Sequence, residues 1–314
     1  MQTDRQFTGL ERRIDKAAHR LLDNLPRHRI SDALIEFLVF GLKQAWACLF
    51  GGAMLALIIL TRWFWPDGGA GFITRYDFLF LSALAIQLAM LVFKLEAWEE
   101  AKVILIFHVV GTAMEVFKTH AGSWVYPEEN FFRIGGVPLF SGFMYAAVGS
   151  YMARINRIFD IRLNHYPPLW MTVVLAAAIY INFFAHHFIW DMRWLLFAAT
   201  FVLFWRTTMH YRVFRFRHKM PLLVAFLLTS LFIWIAENIG TWSKAWLYPN
   251  QRNGWELVSM SKLGSWYLLM IISVVLVTLV HRPRPYRAEE EPQKKTPDHL
   301  AGRIEQKIRG DQSL

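Results

Sequence analysis

The chain has 314 residues, of which 55% are hydrophobic, 16% aromatic and only 18% charged, where a soluble domain carries about 25% charged residues. The formal charge of +10 does not point to nucleic acid, because the basic residues sit in short loops between apolar runs with no RNA- or DNA-binding motif around them. The single cysteine, Cys48, cannot form an internal disulfide, and the polar, basic opening segment lacks the apolar core of a cleavable signal peptide.

Residues 10–25 come first in chain order. Leu10, Ile14, Ala17, Ala18, Leu21, Leu22 and Leu25 share one helical stripe, with Arg12, Arg13, Lys16 and Arg20 on the other side. Such a helix either lies on an anionic membrane surface or packs on the protein itself. Eight apolar spans follow, over residues 41–63, 78–93, 103–118, 137–153, 169–186, 194–210, 221–242 and 264–281. A helix of roughly 20 residues crosses a hydrocarbon core. After Arg287 the chain turns polar and reads as a tail, with a short helix over residues 300–308.

Lys and Arg divide unequally between the loops. Lys94, Lys102, Arg154, Arg157, Arg162, Arg206, Arg212, Arg215, Arg217, Lys219, Arg282, Arg284 and Arg287 fall on the side of the N-terminus. That richer side is expected in the cytoplasm, with both termini. Trp63, Trp65, Trp124, Trp190, Trp242 and Trp246 then form an aromatic belt at the outer interface.

A repeat of fixed offset stands out. Glu115 and Glu237 are 122 positions apart, as are Thr119 and Thr241, Trp124 and Trp246, and Tyr126-Pro127 and Tyr248-Pro249. Gly142 and Gly264, and Tyr145 and Tyr267, continue it without a gap. The offset covers four spans, an even number, so the halves are expected to be parallel repeats about an axis along the membrane normal. The fold expected is an all-α polytopic transmembrane bundle of two four-helix repeats. Its parts are a basic segment (1–36), a first repeat (37–160), a second repeat (161–282) and a polar tail (283–314).

Carboxylates inside apolar spans are costly and face the bundle interior. Glu115 and Glu237 are therefore acid/base candidates, or else structural acceptors that lock the helix-to-loop turn. His108, seven residues before Glu115 on the same helix face, is an auxiliary candidate whose counterpart is Ser230. Thr119, Trp124, Tyr126, Thr241, Trp246 and Tyr248 are the candidates for lining a substrate pocket; the aromatic ones serve equally as headgroup anchors. His186, His187, Asp191 and Asn182 lack His-x-x-x-His spacing, so no metal site is assigned. The apolar loop 131–138 is a candidate re-entrant lid.

The run Lys94-Leu95-Glu96, then Phe107-His108, Gly111, Glu115, Phe117-Lys118-Thr119, Gly122, Trp124 and Tyr126-Pro127 resembles the YoaT-like family of uncharacterised bacterial integral membrane proteins. The resemblance implies a bacterial inner-membrane protein and brings no activity. Glu115, Thr119, Gly122, Trp124, Tyr126 and Val137-Pro138-Leu139 are also similar, more distantly, to the membrane-bound lycopene cyclases and carotenoid hydratases. Phe140-Ser141 and Met260-Ser261-Lys262 stand where such cyclases carry a further carboxylate. This likeness implies a helical scaffold around a hydrophobic, isoprenoid-like molecule. The leading expectation is an intramembrane enzyme or binder acting on a lipid or isoprenoid by proton chemistry without a cofactor. The alternatives are a small-solute or lipid transporter and a non-catalytic scaffold. The expected partners are the bilayer and a hydrophobic small molecule, with no nucleic acid; oligomeric state is not legible.

Overall fold

The computed structural model describes residues 8–22, 29–66, 73–186 and 188–287. Among them are ten α-helices: α1 Gly9–Leu22, α2 Arg29–Ala47, α3 Leu49–Phe64, α4 Arg75–Val92, α5 Trp98–His120, α6 Phe140–Ile158, α7 Leu169–Ala185, α8 Arg193–Phe204, α9 Leu222–Trp242 and α10 Met260–Val280. Each of the eight apolar segments contains a helix. The short helix expected over 300–308 and the end of the stripe at Leu25 lie outside the described residues.

Helix starts follow local chemistry. Thr74 caps α4 by accepting the Asp77 N–H, and Ser259 caps α10 by accepting the Ser261 N–H. Pro168 and Pro221 stand directly before α7 and α9, where a missing N–H costs no helical bond.

Three helices, α4, α9 and α10, are long and apolar enough to cross a membrane. The pair α2–α3, bent by 69°, makes a fourth if it counts as one span, and α7 and α8 are apolar but shorter. α5 and α6 are long, yet α5 carries Glu100, Lys102, Glu115 and Lys118, and α6 carries Arg154 and Arg157.

The expectation of an all-α chain is corrected by five short strands: β1 Arg133–Ile134, β2 Val137–Pro138, β3 Arg162–Asn164, β4 Thr208–Arg212 and β5 Arg217–Pro221. The sixth apolar run does not continue as helix to residue 210. α8 ends at Phe204, and β4 pairs antiparallel with both β3 and β5. Loop 131–138 forms a hairpin. β1 and β2 join through Gly135 and Gly136 at φ +56° and +80°, values that suit glycine and close a tight hairpin. Asp77 fixes its base by accepting the N–H groups of Phe131 and Phe132 at 3.0 and 2.8 Å.

Two large apolar clusters lie in the core. Phe50, Met54, Ala83, Met90, Ile104 and Phe143 join α3–α6, while Leu175, Ile179, Leu196, Phe226, Leu268 and Ile271 join α7–α10. α5 and α6 approach most closely because glycines sit between them. A Cβ on Gly149 would meet the Phe107 ring at 2.8 Å, and one on Gly111 the Tyr145 side chain at 2.5 Å. Small residues at a contact let apolar helices come together without a hydrophobic drive from water.

At the opposite end from the glutamate motifs, several basic residues are paired. Arg154 is fully buried and binds Glu96 at 2.9 Å and the Trp46 carbonyl at 3.0 Å. Arg157 joins Glu100 to Glu11, which also accepts the Trp46 indole N–H at 2.8 Å. Glu11 belongs to α1 and is buried. α1 thus meets the protein through Glu11, while Leu10 and Ile14 of its apolar stripe stay exposed.

Candidate functional site

α5 ends just beyond Lys118, and Gly122 then takes φ +73°, turning the chain back on its own helix. The returning segment brings Trp124 and Tyr126 onto Glu115. Glu115 accepts the Trp124 indole N–H at 2.8 Å, the Tyr126 hydroxyl at 2.6 Å and the Tyr145 hydroxyl at 2.7 Å. In α9, Glu237 accepts the Tyr248 hydroxyl and, at 2.6 Å, the Trp266 indole N–H. Here Lys244 holds the left-handed conformation at φ +58°, 122 positions after Gly122. Both carboxylates are buried, and each is held by donors, as a buried carboxyl group must be.

The two turns meet. Val125 and Leu247, again 122 positions apart, exchange both N–H to carbonyl bonds at 2.9 Å. The Trp124 and Tyr248 rings stand edge-to-face, with centroids 6.1 Å apart. The exchange gives the Val125–Leu247 pair a local two-fold arrangement.

Both glutamates line one cavity of about 1020 Å³. Tyr126, Tyr145, Tyr248 and Trp266 line it beside them, and Lys118, Lys262 and Arg193 line the same end. Its walls are apolar, from residues such as Met144, Val148, Ile179, Phe226, Leu268 and Met270. It runs on to Gln44, Asn156, His281 and Arg284 at the other end. Pockets of about 300–1,000 Å³ hold small organic ligands, so this one is roomy.

Burial first, and then the adjoining carboxylate, pushes the phenols of Tyr126 and Tyr248 well above their ordinary range. Both therefore act as donors. Burial raises the loop carboxyl of Asp191, but hydrogen bonds from Asn182 and the Arg193 N–H outweigh it and hold Asp191 below the usual range.

The sequence candidates divide. Glu115, Glu237, Trp124, Tyr126, Trp246 and Tyr248 line the cavity. His108 does not; it lies against Gly142 and the Phe143 ring, 4.6 Å between centroids. Thr119 and Thr241 are away from it too: Thr241 is buried, donating to the Asn238 carbonyl and accepting from Trp255. Trp246, although in the cavity wall, covers Gly240 and makes no bond to Glu237. Among the described residues no three His, Cys, Asp or Glu side chains gather as metal ligands; His187 lies outside them. Sequence reasoning missed the roles of Tyr145, Trp266, Lys118, Lys262 and Arg193. Tyr145 carried a signal in its place in the repeat, and Lys118 and Lys262 stood in quoted motifs without being read as site residues.

A family model described as protein of unknown function (DUF817) matches residues 36–274. The chain belongs to this family. The uncharacterized protein YoaT of Bacillus subtilis (strain 168) is 44% identical over 260 residues, 82% of this chain and 97% of that relative. It is the family that the Lys94–Pro127 motifs resemble. The crystal structure of a cross-linked MvINS trimer aligns with 60% of this chain and 98% of its own, at 13% identity and a TM-score of 0.44, too low to carry an argument. The DUF817 match takes in both glutamates and their donors; α1 precedes it.

Proposed function

We propose that this DUF817 member is a multi-pass protein of the bacterial inner membrane, with α3–α10 as eight spans in two parallel halves (37–160 and 161–282) and both termini in the cytoplasm. The antiparallel exchange between Val125 and Leu247 supports the two-fold part of this reading. The cavity receives a lipid or isoprenoid molecule and presents Glu115 and Glu237 to it. One observation carries the proposal: two buried glutamates, each fixed by aromatic donors, line a single large apolar cavity. Glu115 takes three donors and Glu237 two. A carboxylate has about four acceptor sites, so Glu237 has more capacity left for a proton or a ligand and is the better acid/base group. The carotenoid-like chemistry rests on the sequence motif alone and is the narrower form of this reading.

A second reading, a transporter of a lipid or small solute, draws on the reach of the cavity from Lys118 and Lys262 to His281 and Arg284. Residues 262 to 281 of α10 and its end span about 30 Å at 1.5 Å per residue, close to the hydrocarbon thickness.

The test compares lipid extracts, by mass spectrometry, of cells lacking the protein and cells carrying wild type, Glu237→Gln or Glu115→Gln at matched levels. A lipid whose mass changes with wild type but not with Glu237→Gln is expected. Unchanged lipid masses would sink the enzyme form; a wild-type protein that also co-purifies with no lipid would sink the binder.

A further inference from the structure

The cavity is not apolar throughout. At the glutamate end it is lined by three cations, from Lys118 in α5, Arg193 at the start of α8 and Lys262 in α10. Their positions are built. Lys118 is 3% exposed, with its ammonium 4.5 Å from the centre of the Phe183 ring. Lys262 stands 4.4 Å over the Tyr248 ring and 5.6 Å from the Trp124 ring, the aromatic groups that hold the glutamates in place. Arg193 is anchored by Asp191 at 3.3 Å.

Among the described residues Asp191 acts on Lys118 and Glu237 on Lys262, while Arg193 opposes both lysines and Lys262 opposes Lys118. Glu237 is engaged by Tyr248 and Trp266. Among the described residues no carboxylate lies within 4.0 Å of the Lys262 ammonium. Gathering like charges at the rim of a low-dielectric cavity is costly unless an anion joins them. Ser123, Ser265 and Asn182 line the same region and offer neutral donors.

We infer that the cavity binds an anionic amphiphile: a phosphate or carboxylate head held by Lys118, Lys262 and Arg193, with a hydrocarbon or isoprenoid chain along the apolar wall of α6, α9 and α10. This rests on the lipid-binding reading above and narrows it to the charge of the head. Glu115 and Glu237 then meet the first carbons below the head, instead of the head itself.

Tryptophan emission reads the site, because Trp124, Trp246 and Trp266 line it. Full-length protein in a neutral detergent is titrated with oleyl phosphate, oleyl alcohol and inorganic phosphate. Oleyl phosphate is expected to bind about tenfold or more tightly than oleyl alcohol, the worth of one charge-assisted bond. Lys262→Gln should abolish that preference, and Lys262→Arg should restore it. Lys118→Gln, scored the same way, guards against a fault peculiar to one variant. Equal binding of phosphate and alcohol would overturn the charged head while leaving the lipid cavity standing. Binding of neither amphiphile would overturn both. Inorganic phosphate acting as strongly as oleyl phosphate would identify a free-anion site and overturn the amphiphile.

Discussion

Gly111 decides how the first carboxylate is held. A Cβ there would meet Cβ, Cγ and Cδ2 of Tyr145 at 2.5–2.7 Å. Those atoms are the root of the ring and cannot swing aside as a side-chain tip can. Alanine gains about 1 kcal/mol of helix propensity over glycine, but overpacking costs about 1–3 kcal/mol, so the clash wins. Gly111→Ala should lower the thermal midpoint in detergent and displace the Tyr145 hydroxyl from Glu115. A midpoint equal to wild type would mean that α5 and α6 do not approach this closely. At this scale the site was partly legible. Glu115, Tyr126, Glu237 and Tyr248 repeat at one offset and keep the same bond in both halves. The equivalence then breaks: Glu115 takes Tyr145 from α6, whereas Glu237 takes Trp266, one position before the equivalent Tyr267. Spacing along a sequence cannot show which of two adjacent residues on a neighbouring helix faces a carboxylate. His108 was legible as polar, not as directed into a wall beside Phe143.

At the scale of elements, helices were legible and their interruptions were not. Apolar runs announce α3–α10 because burial in an apolar surround needs a continuous run. The β4–β5 hairpin gave no such signal. Thr208, Met209 and His210 fell inside the sixth apolar run, 194–210, and the five residues of β4 are all half-buried, so no alternation of buried and exposed positions marks the strand. What holds the hairpin is remote in sequence: Glu36 of α2 accepts the N–H groups of Phe214, Arg215 and Phe216 at 3.2, 2.7 and 3.1 Å. Lys43 donates to the carbonyls of Ile158 and Val213 from the same helix. An unpaired buried N–H costs about 1–3 kcal/mol, so Glu36→Ala should open this turn locally. Hydrogen exchange at amides 214–216 should quicken about tenfold or more, with α9 and α10 unchanged. Unaltered protection there would show that strand pairing alone holds the turn.

At the scale of the whole molecule, the two ends differ in kind. One end is an ion-pair network in which Arg154, Arg157 and Arg217 meet Glu96, Glu11, Glu100 and Asp160. The other collects tryptophans, with Trp190 92% exposed, as a headgroup-level belt would be. The positive-inside bias counts charges whether or not they are paired, so it speaks to orientation during insertion and not to the finished surface. Orientation is testable through the single native thiol. In a Cys48→Ala background, Glu129→Cys and Lys219→Cys place one thiol at an exposed residue near each end. An impermeant maleimide should label Glu129→Cys in intact spheroplasts and Lys219→Cys only after lysis. The reverse pattern would invert the protein. Labelling of both from outside would be a different failure: Glu129 and Lys219 are separated by α6, α7 and α8, and an even number of crossings between them would require one of these helices to lie out of the membrane. α8, with 12 residues, reaches about 18 Å at 1.5 Å per residue, short of the roughly 30 Å core. It is the first helix to suspect, and the labelling tests whether it spans by thinning the bilayer or by borrowing length from the hairpin that follows it.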